Sequence, residues 1–282
     1  MKSIARWFGS VVWVAAAVIA LASPARAQRG RAPADGGGVG GNPGVLPPDS
    51  NPYGRSYGEW GAAWWQWAFS LTLADSPLND PTGAHIAAGQ SGPVWFLSGT
   101  FCPDLVSCSV ATATRTATIP AGKALFLPLL NNECSTFEGN GTTESDLLAC
   151  ALAGGDLAVG LFCEIDGVAL QNVSGYRAHS GLYTWGPLPA DNIFVGFGVT
   201  APAGTTSPSV QDGYYVMLAP LAAGAHTLHF GGNFGGFFGE DITYHLTVAG
   251  GTAAVSAAAN AGTTPSGGPG TTSWGKLKAM YR

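Results

Sequence analysis

Two of the five histidines in this chain of 282 residues, His226 and His229, share the strand-like run "AHTLHF". Successive side chains of an extended strand alternate between faces, so these two point apart and cannot bind one ion from a flat strand. Pairing with the later run "TYHLTV" changes the geometry, because His229 and His245 can then share a face, with Asp241 near the strand start as a third ligand. Two imidazoles and a carboxylate suit zinc, copper or iron. The ordinary alternative is that each strand histidine bonds a polar neighbour. His85 and His179 sit in loop-like contexts and could complete a metal set, although their spacing does not require it. The sequence implies no organic cofactor.

Carboxylates offer a second chemistry. Glycoside hydrolysis needs two acids across a cleft, roughly 5–10 Å apart, and Glu59, Glu133, Glu164 and Asp212 are available. Glu59 falls at the third position after Ser56, where a capping box uses it, and Asp212 stands in an Asp-Gly turn pattern, "QDGYY". Glu164 and Asp166 flank another such turn. No pair stands out. There is no Gly-x-Ser-x-Gly elbow, no phosphate-cradling loop after a strand and no His-Glu-x-x-His. The Gly-rich "GGNFGGFFGE" reads as a loop displaying Phe234, Phe237 and Phe238, which could clasp a ligand or fold back onto the body.

Cations are scarce. Between Asn51 and Ala249 only Arg55, Arg115, Lys123 and Arg177 face 15 carboxylates, a balance that repels phosphate backbones and argues against nucleic acid and anionic membrane surfaces. A lone arginine among apolar strands is costly to bury unless something anionic or hydrogen-bonding meets it, and a uronic or other carboxylated ligand would serve. Arg115 and Arg177 therefore join the candidate ligand-binding residues.

The elements that must position these groups begin with "SYGEWGAAWWQWAF", residues 56–69, in which four tryptophans occupy eight positions. Ser56 and Glu59 make a capping-box start, predicting a helix from about Tyr57 to Leu73. Trp60, Trp64, Trp67 and Leu71 form one stripe at helical spacing, the pattern of a helix laid on a core. Trp65 points away from that stripe and Gln66 lies on a polar face, so these two, with Phe237, complete the candidate ligand-binding set. Downstream, short runs rich in β-formers ("PVWFLSGTF", "RTATIPAG", "KALFLPLL", "CEIDGVAL", "NIFVGFGV", "YYVMLAPL", "AHTLHFGG", "ITYHLTVAG") alternate with Gly, Pro, Asn and Asp. That spacing predicts a mainly β, antiparallel, jelly-roll-like sandwich, with one further short helix near 143–153.

The first 27 residues carry Lys2 and Arg6 ahead of an apolar run and end in Ala-Arg-Ala, the pattern of a cleaved secretory signal. Residues 28–50 read as a flexible Gly/Pro linker, 51–249 as the sandwich domain, and 250–282 as a flexible tail with a basic-aromatic end. No later segment has the roughly 18 apolar residues of a membrane span. In an exported chain, Cys102, Cys108, Cys134, Cys150 and Cys163 are expected to oxidise with one left over. Cys102 and Cys108 are the easiest pair by proximity. Two of the other three make a second bridge, and spacing does not choose which.

The blocks "GEWGAAWWQWAF", "GQSGPVWFLSGTF", "ATIPAGKALFLPLLNNECS", "DGYYVMLAPLAAGAHTLHF" and "DITYHLTV" resemble those of an uncharacterised family of exported bacterial proteins over roughly residues 51–249. The resemblance implies a single module and supplies no activity. The expectation is a secreted, periplasmic or cell-surface protein that binds a ligand or the cell envelope, with carbohydrate favoured because aromatic rings and few charges suit sugar faces. A secreted hydrolase, lyase or metal-dependent enzyme, and a structural envelope or matrix component, are the alternatives.

Overall fold

The computed structural model describes residues 44–102, 109–236 and 238–250. The expected signal segment, most of the linker and the tail lie outside the described residues, as do Cys108 and Phe237. Ten strands build two five-stranded sheets: β1 Val94–Phe96, β2 Val110–Ile119, β3 Ala124–Ser135, β4 Ala158–Ile165, β5 Val168–Ala169, β6 Arg177–His179, β7 Tyr183–Trp185, β8 Ser207–Leu218, β9 Gly224–Phe234 and β10 Gly239–Val248. One sheet runs β1-β3-β8-β6 with β7 also on β8; the other runs β2-β10-β9-β4-β5. The molecule is mainly β and sandwich-like, with a core drawn from both sheets.

The pairing is mixed, which corrects the expectation of an antiparallel fold: β1 lies parallel to β3 and β2 parallel to β10. Parallel neighbours need a crossover connection. Here β2, a strand of the opposite sheet, carries the chain from β1 back to β3. Its alternation is strict, with Ala111, Ala113, Arg115, Ala117 and Ile119 inward and Val110 and the threonines outward.

Helix α1, Tyr57–Ser70, starts at the predicted capping box, where the Ser56 amide donates to Glu59 Oε2 at 2.7 Å and the Glu59 amide to Ser56 Oγ at 3.2 Å. Ten of its 14 residues are buried, so it is a core helix walled on nearly every side and not a surface helix with one apolar stripe. Trp65, off the predicted stripe, is therefore covered as well, at 8% exposed against 7% for Trp60 and Trp67. Its ring stands edge-on to Trp64 at 5.0 Å and packs against Phe69 at 5.1 Å. Glycine permits the close fit: a Cβ on Gly61 would fall 2.7 Å from Gln211 Cδ and 2.9 Å from Tyr215 Cζ of β8.

Helix α2, Glu144–Gly155, is capped by Thr143 and Asp146 and sets Leu147 and Ala151 against Cys134 and Val210. Cys134 and Cys150 are bridged there, leaving Cys163 as a buried free thiol among the described residues, while Cys102 is also disulfide-bonded. Two sequence expectations fail nearby. The run "NIFVGFGV" forms no strand: Asn192 caps a short helix, α3 Ile193–Gly196, that inserts Phe194 among Phe69, Phe137 and Trp185. The Asp212-Gly213 pair makes no turn but lies inside β8, where Gly213 leaves room for the Asn131 side chain opposite.

No described helix is long and apolar enough to cross a membrane. Gly44 to Leu46, at the end of the expected linker, add main-chain bonds to β8, including Leu46 N–H to Met217 O at 2.8 Å.

A candidate ligand cavity between the sheets

β1 pairs with only three residues of β3, Ala124 to Phe126, and β3 shifts register on β8 between Pro128 and Leu130. A cavity of about 40 Å³ forms beside this stretch. Trp64 and Trp65 come to it from α1, Leu130 and Asn131 from β3, Gly99 and Phe101 from the segment after β1, and Phe234, Phe238 and Glu240 from the β9–β10 end. A buried water needs roughly 10–15 Å³ in this measure, so there is room for a few waters or for one end of a ligand.

Three polar groups meet among these rings. Trp65 Nε1 and Asn131 Nδ2 are buried. Both side chains hydrogen-bond the Tyr215 hydroxyl, which in turn donates to Gln211 Oε1. The third group is Glu240, whose Oε1 accepts from the Thr100 amide at 2.9 Å. Its carboxyl lies directly on Gly99, and any side chain there would overlap it. Burial pushes Glu240 up to about 8, against the smaller opposing pull of the Thr100 amide and the Arg115 charge.

Arg115 is fully buried behind this wall. Its Nε donates to Asp80 O at 2.8 Å, Nη1 to Ser98 O at 2.6 Å, and Nη2 to Pro77 O at 2.6 Å and Gly99 O at 3.0 Å. Tyr244 sits against the guanidinium, accepts from Arg115 Nη1 and donates to Ser98 O at 2.7 Å. The arginine therefore fastens the Pro77–Asp80 and Ser98–Gly99 segments to the second sheet. It positions Gly99 without reaching the cavity.

The remaining sequence candidates are dispersed. Gln66 is exposed and donates to Thr184 O at 2.8 Å. Arg177 ties Asp212, at 2.6 Å, and Asp156, at 2.6 Å, to the α2 C-terminus through Leu152 O. Of the ligand-binding set named from sequence, Trp65 alone lines the cavity among the described residues. His229 and His245 do share the outer face of the second sheet, and Asp241 accepts from His229 Nε2 at 2.8 Å. His245 lies across Thr227, on the far side of Thr243 from Asp241. Among the described residues no group of three or more His, Cys, Asp and Glu side chains is arranged to hold a metal ion.

One carboxyl pair appears that spacing did not distinguish. Glu133 and Glu138 hydrogen-bond each other; burial, then the Glu138 charge, holds Glu133 far above the usual carboxylate range. Ser209 and the Trp185 indole complete this network. Such direct contact leaves no gap for the sugar that glycoside hydrolysis places between two acids.

Sequence reasoning passed over Glu240 and Asn131. Both carried a signal. Counting back by twos from the apolar Val248, Leu246, Tyr244 and Ile242 puts Glu240 on the inward face, and Asn131 ends an otherwise apolar run in "KALFLPLLNN". Compared with known proteins, the chain matches no family model, no curated protein and no solved structure.

Proposed function

We propose that this is an exported ligand-binding protein whose sandwich holds one end of a carbohydrate in the cavity between its sheets. The reading is carried by one observation: a cavity lined by Trp64, Trp65, Phe101, Phe234 and Phe238 has Asn131 and Glu240 as polar members of its lining. Aromatic rings with a few convergent polar groups are the usual lining of small-molecule sites. The predicted signal over residues 1–27 supplies the compartment.

The test is titration of the secreted chain with a panel of neutral and acidic sugars, following indole N–H resonances by NMR. A ligand in the cavity moves the Trp65 resonance and leaves that of Trp95, whose unpartnered indole lies outside the cavity lining, in place. If no sugar moves Trp65, or if Asn131→Leu leaves a binding curve unchanged, the cavity is not the site.

A further inference from the structure

We infer that the group received by the cavity is a protonated amine, so that the ligand is an amino sugar or another small ammonium ion. This rests on the reading of the cavity as a ligand site and adds the chemistry of the buried end. The donors of the wall are already spent. Both indoles are used, Trp64 Nε1 on Leu97 O at 2.8 Å and Trp65 on the Tyr215 hydroxyl, and the amides of Phe101 and Phe234 go to Leu78 O and Phe238 O. The Thr100 amide goes to Glu240 Oε1. Asn131 bonds the same Tyr215 oxygen through Nδ2, its only side-chain donor, while the Tyr215 proton goes to Gln211 Oε1. What the side chains of the wall have left to offer a ligand is acceptors: the second oxygen of Glu240, and Asn131 Oδ1.

An ammonium group fits that wall. It donates up to three hydrogen bonds and accepts none, and its bond to a carboxylate oxygen is charge-assisted. Five of the lining residues are aromatic, Trp64, Trp65, Phe101, Phe234 and Phe238, and aromatic rings are the usual lining of sites for alkylammonium groups. No described cation lines the cavity to claim Glu240 first. The nearest, Arg115, gives its hydrogen bonds to carbonyl and hydroxyl oxygens, of which only Gly99 O belongs to the wall. Its field weighs against a second cation, but Glu240 would touch the ligand directly, and Coulomb attraction falls with distance. At long range the body draws cations in, since only four cations between Asn51 and Ala249 face 15 carboxylates. A sugar hydroxyl also donates, yet it carries no charge to match the acid and brings an oxygen for which the wall side chains have no donor left.

The experiment follows the Trp65 indole resonance of the secreted chain with glucosamine, methylammonium, glucose, N-acetylglucosamine and sodium glucuronate at pH 7, in wild type and in Glu240→Gln. Circular dichroism checks that the variant folds. An amine is expected to bind about tenfold or more tightly than the neutral sugars, the advantage of a charged over a neutral hydrogen bond. Methylammonium keeps its proton as a lysine does, so between pH 6.5 and 9 it should bind about 30-fold more tightly as a carboxyl titrating near 8 ionises. Glu240→Gln should lose both the preference and the pH dependence. Glucosamine binding tighter than methylammonium supports the inference and assigns the site to amino sugars; methylammonium binding as tight or tighter supports it and assigns the site to free small amines. If the neutral sugars or glucuronate match or exceed the amines, or if Glu240→Gln binds the amines as wild type does, the inference is overturned and the cavity stands as a site. If no compound moves Trp65, both fall.

Discussion

Replacing Glu240 by glutamine should flatten the pH dependence of stability in one window. The carboxyl's ordinary value is 4.5 and its folded value about 8. Between these the folded protein holds a proton that the unfolded chain releases, so the stabilising contribution is complete below about pH 4.5 and is lost as pH rises to about 8. The size of that loss is about 5 kcal/mol, since each pKa unit is worth about 1.4 kcal/mol. Against a whole-domain stability of about 5–15 kcal/mol this is large. Glutamine keeps a carbonyl oxygen for the Thr100 amide and cannot ionise. Urea unfolding at pH 5, 7 and 9 should therefore give similar stabilities for wild type and variant at pH 5 and a variant more stable by several kcal/mol at pH 9. Glu133 drifts in the same direction in both proteins, so the difference between them isolates Glu240. Parallel curves would mean that Glu240 is ionised and reached by water in the folded chain, and the neutral acid in the cavity would be refuted.

Trp64→Phe loses the 2.8 Å bond to Leu97 O and should cost about 1–2 kcal/mol in thermal melts. Arg177→Ala leaves Asp212, whose side chain is 1% exposed, without its counter-ion and should cost about 3–5 kcal/mol, part of which Asp212→Asn should restore in the double variant. Burial pushes the Cys163 thiol up to about 12, so iodoacetamide at pH 8 should leave it unlabelled in the native protein and modify it in urea; native labelling would place it at the surface.

The parts of the fold legible in the sequence were those set by local rules. The Ser56–Glu59 capping box began α1 where its residue types require, and alternation along "VATATRTATI" and "ITYHLTV" separated inward from outward faces. What misled was local chemistry overridden by tertiary fit. Asp212-Gly213 has the composition of a turn, yet Gly213 is small because the Asn131 side chain lies against it, and Asp212 is acidic because Arg177 reaches it across the sheet. Trp65 lies off the helical stripe, but a second wall, including Phe69 from its own helix, covers that side too. Stripe reasoning assumes one core face; a helix enclosed by several elements has no free face to assign.

The cavity was harder to foresee because it arises from endings. β1 stops after three residues of pairing, β3 slips its register within the next few, and Arg115 holds two neighbouring segments by their carbonyls. None of these is written as a residue pattern. The phase of β10 nevertheless placed one acid on the inward side of an apolar strand, and the phase of β2 did the same for one arginine. A charge at an inward position must be paired, neutralised or capped by neutral oxygens. Arg115 is capped and Glu240 is neutralised, although Arg115 acts on Glu240 through its field. A salt bridge between them would have closed the site electrostatically. Held apart, the two inward charges are dealt with separately, Arg115 by the carbonyls of Pro77, Asp80, Ser98 and Gly99, and Glu240 by burial and the Thr100 amide.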